Sequence, residues 1–148
     1  RLLCLHPEEN SSYAEPNARS VTLYLTYGAF SCLMNGDLEG EGEEQMLRYA
    51  GEALTGKQDH SADVTLLHIA HHGSKGATSE AFLQKFRPEY AYVSCGRDNS
   101  YGHPHAETLQ RLKEAGVQQI YDTRYDGEIV FRTNGKNLRV RTYNGIIH

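Results

Sequence analysis

No run of apolar residues in this 148-residue chain approaches the roughly 20 that a membrane-spanning helix needs, and no signal-peptide pattern is present. There is no Cys-x-x-Cys spacing. Cys4, Cys32 and Cys95 are odd in number and scattered, which does not support a disulfide framework. Cys32 and Cys95 fall within apparent strands and read as small buried hydrophobes. Positive charge is also in short supply, since 15 Lys and Arg against 19 Asp and Glu leave a net charge of −4. That balance argues against holding nucleic acid by bulk charge alone. Internal repeats and low-complexity tracts are absent as well. What is present, 39% hydrophobic and 23% charged residues, predicts a soluble globular chain long enough for one domain with its own core. The sequence opens at Arg1 directly on the strand-like "LLCLHP" and is expected to be a piece of a longer polypeptide.

Residues 7–20 are polar and turn-rich and predict a surface loop; within it, Asn10-Ser11-Ser12 matches a glycosylation sequon too short to carry weight. "VTLYLTY" alternates Val21, Leu23, Leu25 and Tyr27 on one face, and with "FSCLMN" it predicts a hairpin that ends at Gly36-Asp37. "EGEEQMLRYAGEAL" spaces Met46, Leu47, Ala50 and Leu54 as a helix, with glutamates in its first turn. "KQDHSAD" is a loop, and "VTLLHIA" has the continuous apolar pattern of a strand covered on both faces. Thr78 or Ser79 caps the helix "EAFLQKF", Pro88 ends it and "YAYVSC" supplies a strand. A further helix, "AETLQRLKEAG", has Pro104 near its start and Gly116 at its end. "QQIYDT", "GEIVFRT" and "NLRVRTY" are expected to close the chain as strands joined by hairpin turns at Asp126-Gly127 and Asn134-Gly135. The order predicts an α/β layered domain with a partly parallel sheet.

Ligands gather where the strands of such sheets end, and three strand ends carry chemistry here. Asp37 follows one, His71 and His72 follow another, and a loop with Asn99, Tyr101, His103 and His105 follows a third. Asp and His suit Zn²⁺, Mn²⁺ or Fe²⁺, and two metals about 3.5–4 Å apart can clamp a phosphodiester for in-line displacement. Adjacent side chains diverge, so one of His71 and His72 is expected to ligate and the other to contact substrate or donate a proton. Gly73 and Ser74 offer close backbone approach and a hydroxyl to a phosphate oxygen. An isolated Gly-Asp is usually a turn, an isolated His pair is usually exposed, and His103 and His105 could simply start a helix. What points to one site is that all three loops lie at the same kind of strand edge. His6, His60, His68 and His148 read as structural or exposed. From Arg124 onward, Arg124, Arg132, Lys136, Arg139 and Arg141 outnumber Asp126 and Glu128, a basic surface that fits a DNA backbone or a solvated sheet face.

The segments "LMNGDLEGEGEEQML", "LLHIAHHGSKGATSEAFL", "PEYAYVSCGRDNSYGHPHAETLQRL" and "IYDTRYDGEI" resemble the C-terminal half of the metallo-β-lactamase-like domain of ComEC proteins, the bacterial DNA-internalisation channels of natural competence. The resemblance runs from about Asn17 to the Asp126-Gly127 turn. It implies that residues 1–148 form the C-terminal half of an αβ/βα sandwich, with a mixed sheet and flanking helices, around a one- or two-metal hydrolase centre. Asp37 then matches the metal-bridging aspartate, and one of His71 and His72 the late histidine ligand, with His72 favoured. His71 and His103 become candidates for contacting the scissile phosphate or acting as general acid, and Ser74, Asn99, Tyr101 and His105 fall on the substrate rim. The cofactor implied is a divalent metal, Zn or Mn. The function implied is a nuclease that degrades the non-imported DNA strand, outside the cytoplasmic membrane. The family's His-x-His-x-Asp-His motif has no counterpart here. A zinc site needs three or four protein ligands, so the isolated chain is expected to be catalytically feeble or inactive without the upstream half of the domain. Without that half an uncovered sheet is expected, through which the chain could form a homodimer. The other readings are a non-catalytic DNA- or partner-binding domain and a stand-alone hydrolase of the same fold acting on another ester.

Overall fold

A computed structural model describes residues 1–9, 11–55 and 63–143. The Asn10 sequon, His60, His148 and most of the loop "KQDHSAD" lie outside the described residues. Six strands form one mixed sheet whose order follows the chain: β1 (Leu2–His6), β2 (Thr22–Tyr27), β3 (Phe30–Met34), β4 (Leu66–His68), β5 (Tyr90–Val93) and β6 (Gln119–Asp122). The first three pair antiparallel, and β3 to β6 run parallel. Parallel neighbours need crossovers. These are α1 (Glu41–Thr55), α2 (Glu80–Phe86) and α3 (Ala106–Glu114). The fold is therefore an α/β mixed sheet flanked by helices, consistent with an α/β sandwich.

The apolar periodicity of the helices sets which face they cover. Met46 and Ala50 of α1, Phe82, Leu83 and Phe86 of α2, and Leu112 of α3 join Leu5, Leu33, Leu67, Ala91 and Val93 of the sheet in one buried cluster. Each such large side chain contributes roughly 1.5–3 kcal/mol by leaving water. On the opposite face Phe30, Cys32 and Leu66 form a second cluster with Leu25, Met34, Tyr90, Tyr92, Phe131 and Leu138. Ser79 caps α2, its side chain accepting from Phe82 N. Thr78 does a different job, its hydroxyl accepting from Ala70 N at 3.2 Å. A short 3₁₀ turn, Asn17–Arg19, interrupts the loop expected over residues 7–20. His6 is fully buried there with Nε2 2.7 Å from Ala18 O, a structural histidine.

One turn differs from its sequence reading. Asp126-Gly127 is not a hairpin turn. Residues Thr123–Asp126 form a helical turn, α4, and the next two strands, β7 (Glu128–Thr133) and β8 (Leu138–Tyr143), pair with each other in a separate two-stranded sheet among the described residues. The reason is local. Asp122 accepts from Arg124 N at 2.9 Å, and Asp126 Oδ2 accepts from Asp122 N at 2.7 Å, so two carboxylates satisfy the donors of a helical turn instead of a two-residue loop. The Asn134-Gly135 turn does join a hairpin, with Asn134 Oδ1 accepting from Lys136 N and Asn137 N. The β7–β8 hairpin lies over the second cluster through Phe131 and Leu138. It leaves Leu2 and Tyr27, at the β1–β2 end of the sheet, 57% exposed each.

His68, in β4, packs its ring at a tilt against that of Tyr92, 4.9 Å between centroids. Burial holds its pKa below the ordinary histidine value, the His72 charge adds to this, and Asp37 opposes it. An imidazole depressed in the folded state stays neutral there while the unfolded chain takes up a proton, so stability is lost as pH falls below about 6.5. His68→Phe is expected to narrow the fall in Tm between pH 7.5 and 5.5, as read by thermal melts in matched buffers. An unchanged fall would place the acid sensitivity elsewhere.

Candidate functional site

The parallel strands deliver their chemistry to one edge. After β3 the chain turns through Asn35, Gly36 and Asp37. Asn35 is fully buried and donates to His68 O at 3.0 Å, while Gly36 O accepts from His71 N at 3.0 Å. The Asp37 turn is thereby fastened to the end of β4. There His71 and His72 both adopt left-handed backbone, φ +46° and +53°. Such conformations cost L-residues about 1–2 kcal/mol each and persist only where the surroundings over-determine them.

Those surroundings are specific. His72 Nδ1 donates to Ser94 O at 2.6 Å, so in the neutral ring Nε2 carries the lone pair, and it lies 3.6 Å from Asp37 Oδ1. His71 turns elsewhere: its Nδ1 is 3.0 Å from Glu39 Oε2. Glu39 also accepts from Asn17 Nδ2 at 3.1 Å and from Ser74 Oγ at 3.2 Å. Burial works to raise the Glu39 carboxyl, but the hydrogen bonds from His71, Asn17 and Ser74 outweigh it and hold the group below the usual carboxylate value.

The loop after β5 brings the third contribution. His103 is buried, its ring 5.5 Å from that of His71 and 6.5 Å from that of His72. Asn99 folds this loop, donating to His103 O at 2.7 Å and accepting from His103 N at 2.9 Å, so its amide is engaged within the loop. Arg124 Nη1 reaches His103 O at 3.3 Å, and the same guanidinium pairs with Asp122 at 2.7 Å. Tyr101, 76% exposed, stacks its ring 5.7 Å from His103. His105 Nδ1 accepts from Lys75 N at 3.0 Å, and its ring stands 4.7 Å from His103. Burial lowers the His103 pKa, the charges of His105, His71 and His72 lower it further, and Glu39 pulls the other way. A cavity of about 370 Å³ opens between His72, Ser94, Gly96, Tyr101 and His103.

The structure thus gathers Asp37, His71, His72, Ser74, Asn99, Tyr101, His103 and His105 at one edge of the sheet. Sequence reasoning missed Glu39, Asn17 and the Asp122–Arg124 pair. Glu39 lies only two residues beyond Asp37, but it merges with the run of glutamates that opens α1. Among the described residues no three His, Cys, Asp or Glu side chains converge closely enough to hold a metal ion by themselves.

No family model matches the chain. ComE operon protein 3 of Bacillus subtilis (strain 168) is 36% identical over 119 residues, which cover 80% of this chain and 14% of that protein. Competence protein ComA of Neisseria gonorrhoeae is 32% identical over 142 residues, 94% of this chain and 19% of its own length. Recombination protein 2 of Haemophilus influenzae is 33% identical over 96 residues, 65% of this chain and 11% of that protein. The chain belongs to the ComEC family. It spans less than a fifth of the length of each of these ComEC-family relatives. Within the described residues of this ComEC-family chain no helix is long and apolar enough to cross a membrane.

Proposed function

We propose that this chain takes part in DNA uptake during competence, as the C-terminal half of a metal-dependent nuclease centre that degrades the DNA strand not imported. The names of two relatives, a competence protein and a ComE operon protein, support the first half of this reading. The observation that carries the second is the pairing of Asp37 with His72. Ser94 O fixes His72 with its Nε2 toward Asp37, the arrangement in which a backbone carbonyl orients a ligating imidazole.

These donors fit a divalent ion such as Zn²⁺ or Mn²⁺, but they are two of the three or four protein ligands required. The remaining ligands come, in this reading, from the upstream half of the domain. That half covers the sheet face where Leu2 and Tyr27 are exposed. When bound, the metal supplies Lewis-acid activation of water and of the phosphoryl oxygen. This chain's own residues position the substrate. His71, whose Nδ1 faces Glu39, and His103, whose backbone is held by Asn99 and Arg124, line the place a phosphodiester takes in this reading. His103 is kept neutral at pH 7, which suits it to hydrogen-bond a phosphate oxygen; the approaching anion raises its pKa toward the range of a general acid. The parent protein lies in the cytoplasmic membrane in this reading, with the domain on its outer side.

The test mixes this chain with the upstream half, supplies Mn²⁺ or Zn²⁺, and follows both metal content and cleavage of end-labelled DNA. The mixture is expected to bind metal and cut, and Asp37→Ala or His72→Ala to reduce both to background. An assembled mixture that remains inert toward all DNA substrates would favour the binding-domain reading. Cleavage that survives Asp37→Ala would move the centre elsewhere.

A further inference from the structure

The β7–β8 hairpin carries a surface that the site does not use. Its inner residues, Phe131 and Leu138 among them, pack on the sheet. Side chains alternate across a strand, so the outer face presents Arg132, Arg139 and Arg141, all exposed. The register sets Arg132 directly opposite Arg139, and Arg141 opposite Val130. Like charges directly opposite are destabilising in an antiparallel pair. Among the described residues the ion pairs between fixed charges are Arg87–Asp63 and Arg124–Asp122, beside the histidine–carboxylate contacts His71–Glu39 and His72–Asp37, and none of these involves the three arginines. Tyr143, 50% exposed, occupies the same face beyond Arg141, opposite Glu128. A chain of net charge −4 thus concentrates three guanidinium groups on one narrow ribbon, where Glu128 is the one acidic residue among the described outer-face positions.

The ribbon also has a direction. Its Asn134-Gly135 tip is held at the β2–β3 turn, where Ala29 N donates to Gly135 O. Its base follows α4, whose Arg124 contacts the His103 loop. Arg139, Arg141 and Tyr143 follow one another at alternate positions, roughly 7 Å apart along the strand, and lead from the tip toward the candidate site.

We propose that the outer face of the β7–β8 hairpin is a docking track for the phosphate backbone of a single DNA strand, with Arg132, Arg139 and Arg141 contacting phosphates and Tyr143 stacking on a base. A track one ribbon wide with an aromatic in line matches the combination of cationic groove and stacking platform by which single strands are held. Arginine also matches phosphate geometry better than a point charge does. The inference rests on the uptake reading for its choice of nucleic acid and is independent of the metal centre.

The experiment is fluorescence anisotropy of a fluorescein-labelled oligothymidylate against this chain in EDTA, over a series of salt concentrations. Each phosphate contact to a single strand adds about 0.7 to the slope of log affinity against log salt. Wild type is therefore expected to bind with a slope near −2. The R132Q/R139Q/R141Q variant is expected to lose about tenfold or more at low salt and most of that slope. R132K/R139K/R141K keeps most of the binding, and Tyr143→Ala lowers affinity without changing the slope. Circular dichroism melts check that each variant is folded. Undetectable binding by wild type, or an unchanged slope in the glutamine variant, would overturn the proposal. So would arginine-dependent binding to phosphatidylglycerol vesicles that oligothymidylate cannot compete away, which would assign the face to an anionic membrane. Asp37→Ala is expected to bind as wild type does, so loss of cutting and loss of docking separate the two readings.

Discussion

Replacing Glu43 with alanine is expected to lower the stability of the domain by about 3 kcal/mol, a fall of roughly 6–12 °C in Tm for a chain of this size. Glu43 is 4% exposed, on the first turn of α1. Its carboxylate accepts from Thr78 N at 2.7 Å and from Ser79 N at 2.9 Å. Thr78 is a β-branched residue at φ +53°, a conformation such residues rarely adopt, and Ser79 is the cap of α2. The truncation strands two backbone donors and releases the turn that holds Thr78. Burial pushes the Glu43 carboxyl up, against the hydrogen bonds from Ser79 and Thr78 and the Arg111 charge. A carboxyl raised in the folded state gives its full contribution below the unfolded value of about 4.3 and loses part of it as pH rises through the folded pKa. The Tm gap between wild type and Glu43→Ala is therefore expected to be wider at pH 4 than at pH 7. A Tm change under 2 °C at both values would show that water replaces the carboxylate freely.

Gly73→Ala is expected to be as costly, and to act on the site as well. Gly73 has φ +84°, and a Cβ there would overlap the Pro104 ring and stand 2.9 Å from Pro104 Cα. Its carbonyl accepts from His105 N at 2.9 Å. With the bond from Lys75 N to His105 Nδ1, this contact sets the His71–His72 turn against the His103 loop. Alanine would add about 1 kcal/mol of left-handed strain and about 1–3 kcal/mol of overpacking, driving the two loops apart. A displacement of about 1 Å at such a site can cost on the order of a hundredfold in rate. The expected results are a Tm lowered by several degrees and a comparable loss of cleavage in the reconstituted assembly. Adding Pro104→Gly should restore part of both, because it removes the obstructing ring. No restoration would mean that backbone strain at residue 73, or the remaining approach to the residue-104 Cα, dominates.

Some of this was readable from residues alone. The strand ends at Asp37, at His71-His72 and before Asn99 could be placed because period-two alternation and continuous apolar runs mark strands, and the parallel order puts their loops on one edge. The division of labour within the site was not readable. Glu39 is one glutamate among several, and only the fold shows it accepting from Asn17 and Ser74, two segments far apart in sequence. The left-handed backbone at His71 and His72 is invisible as well, since nothing in a histidine announces it; contacts to Gly36 and Ser94 impose it. Asp126-Gly127 has the composition of a hairpin turn, yet the side chains of Asp122 and Asp126 close a helical turn there. Local composition proposes a turn, and the surrounding side chains choose its type.

The sheet's strand order has a topological consequence. Because β1 to β6 lie side by side in the same sequence in which the chain supplies them, no strand has to be inserted between two that are already paired. Each strand lies at the edge left by the one before it in the chain. The three loops that carry Asp37, the paired histidines and His103 follow one another along the carboxyl ends of β3, β4 and β5. The arginine-bearing ribbon comes last and doubles back across the finished surface, so removing it leaves every β1–β6 pairing intact.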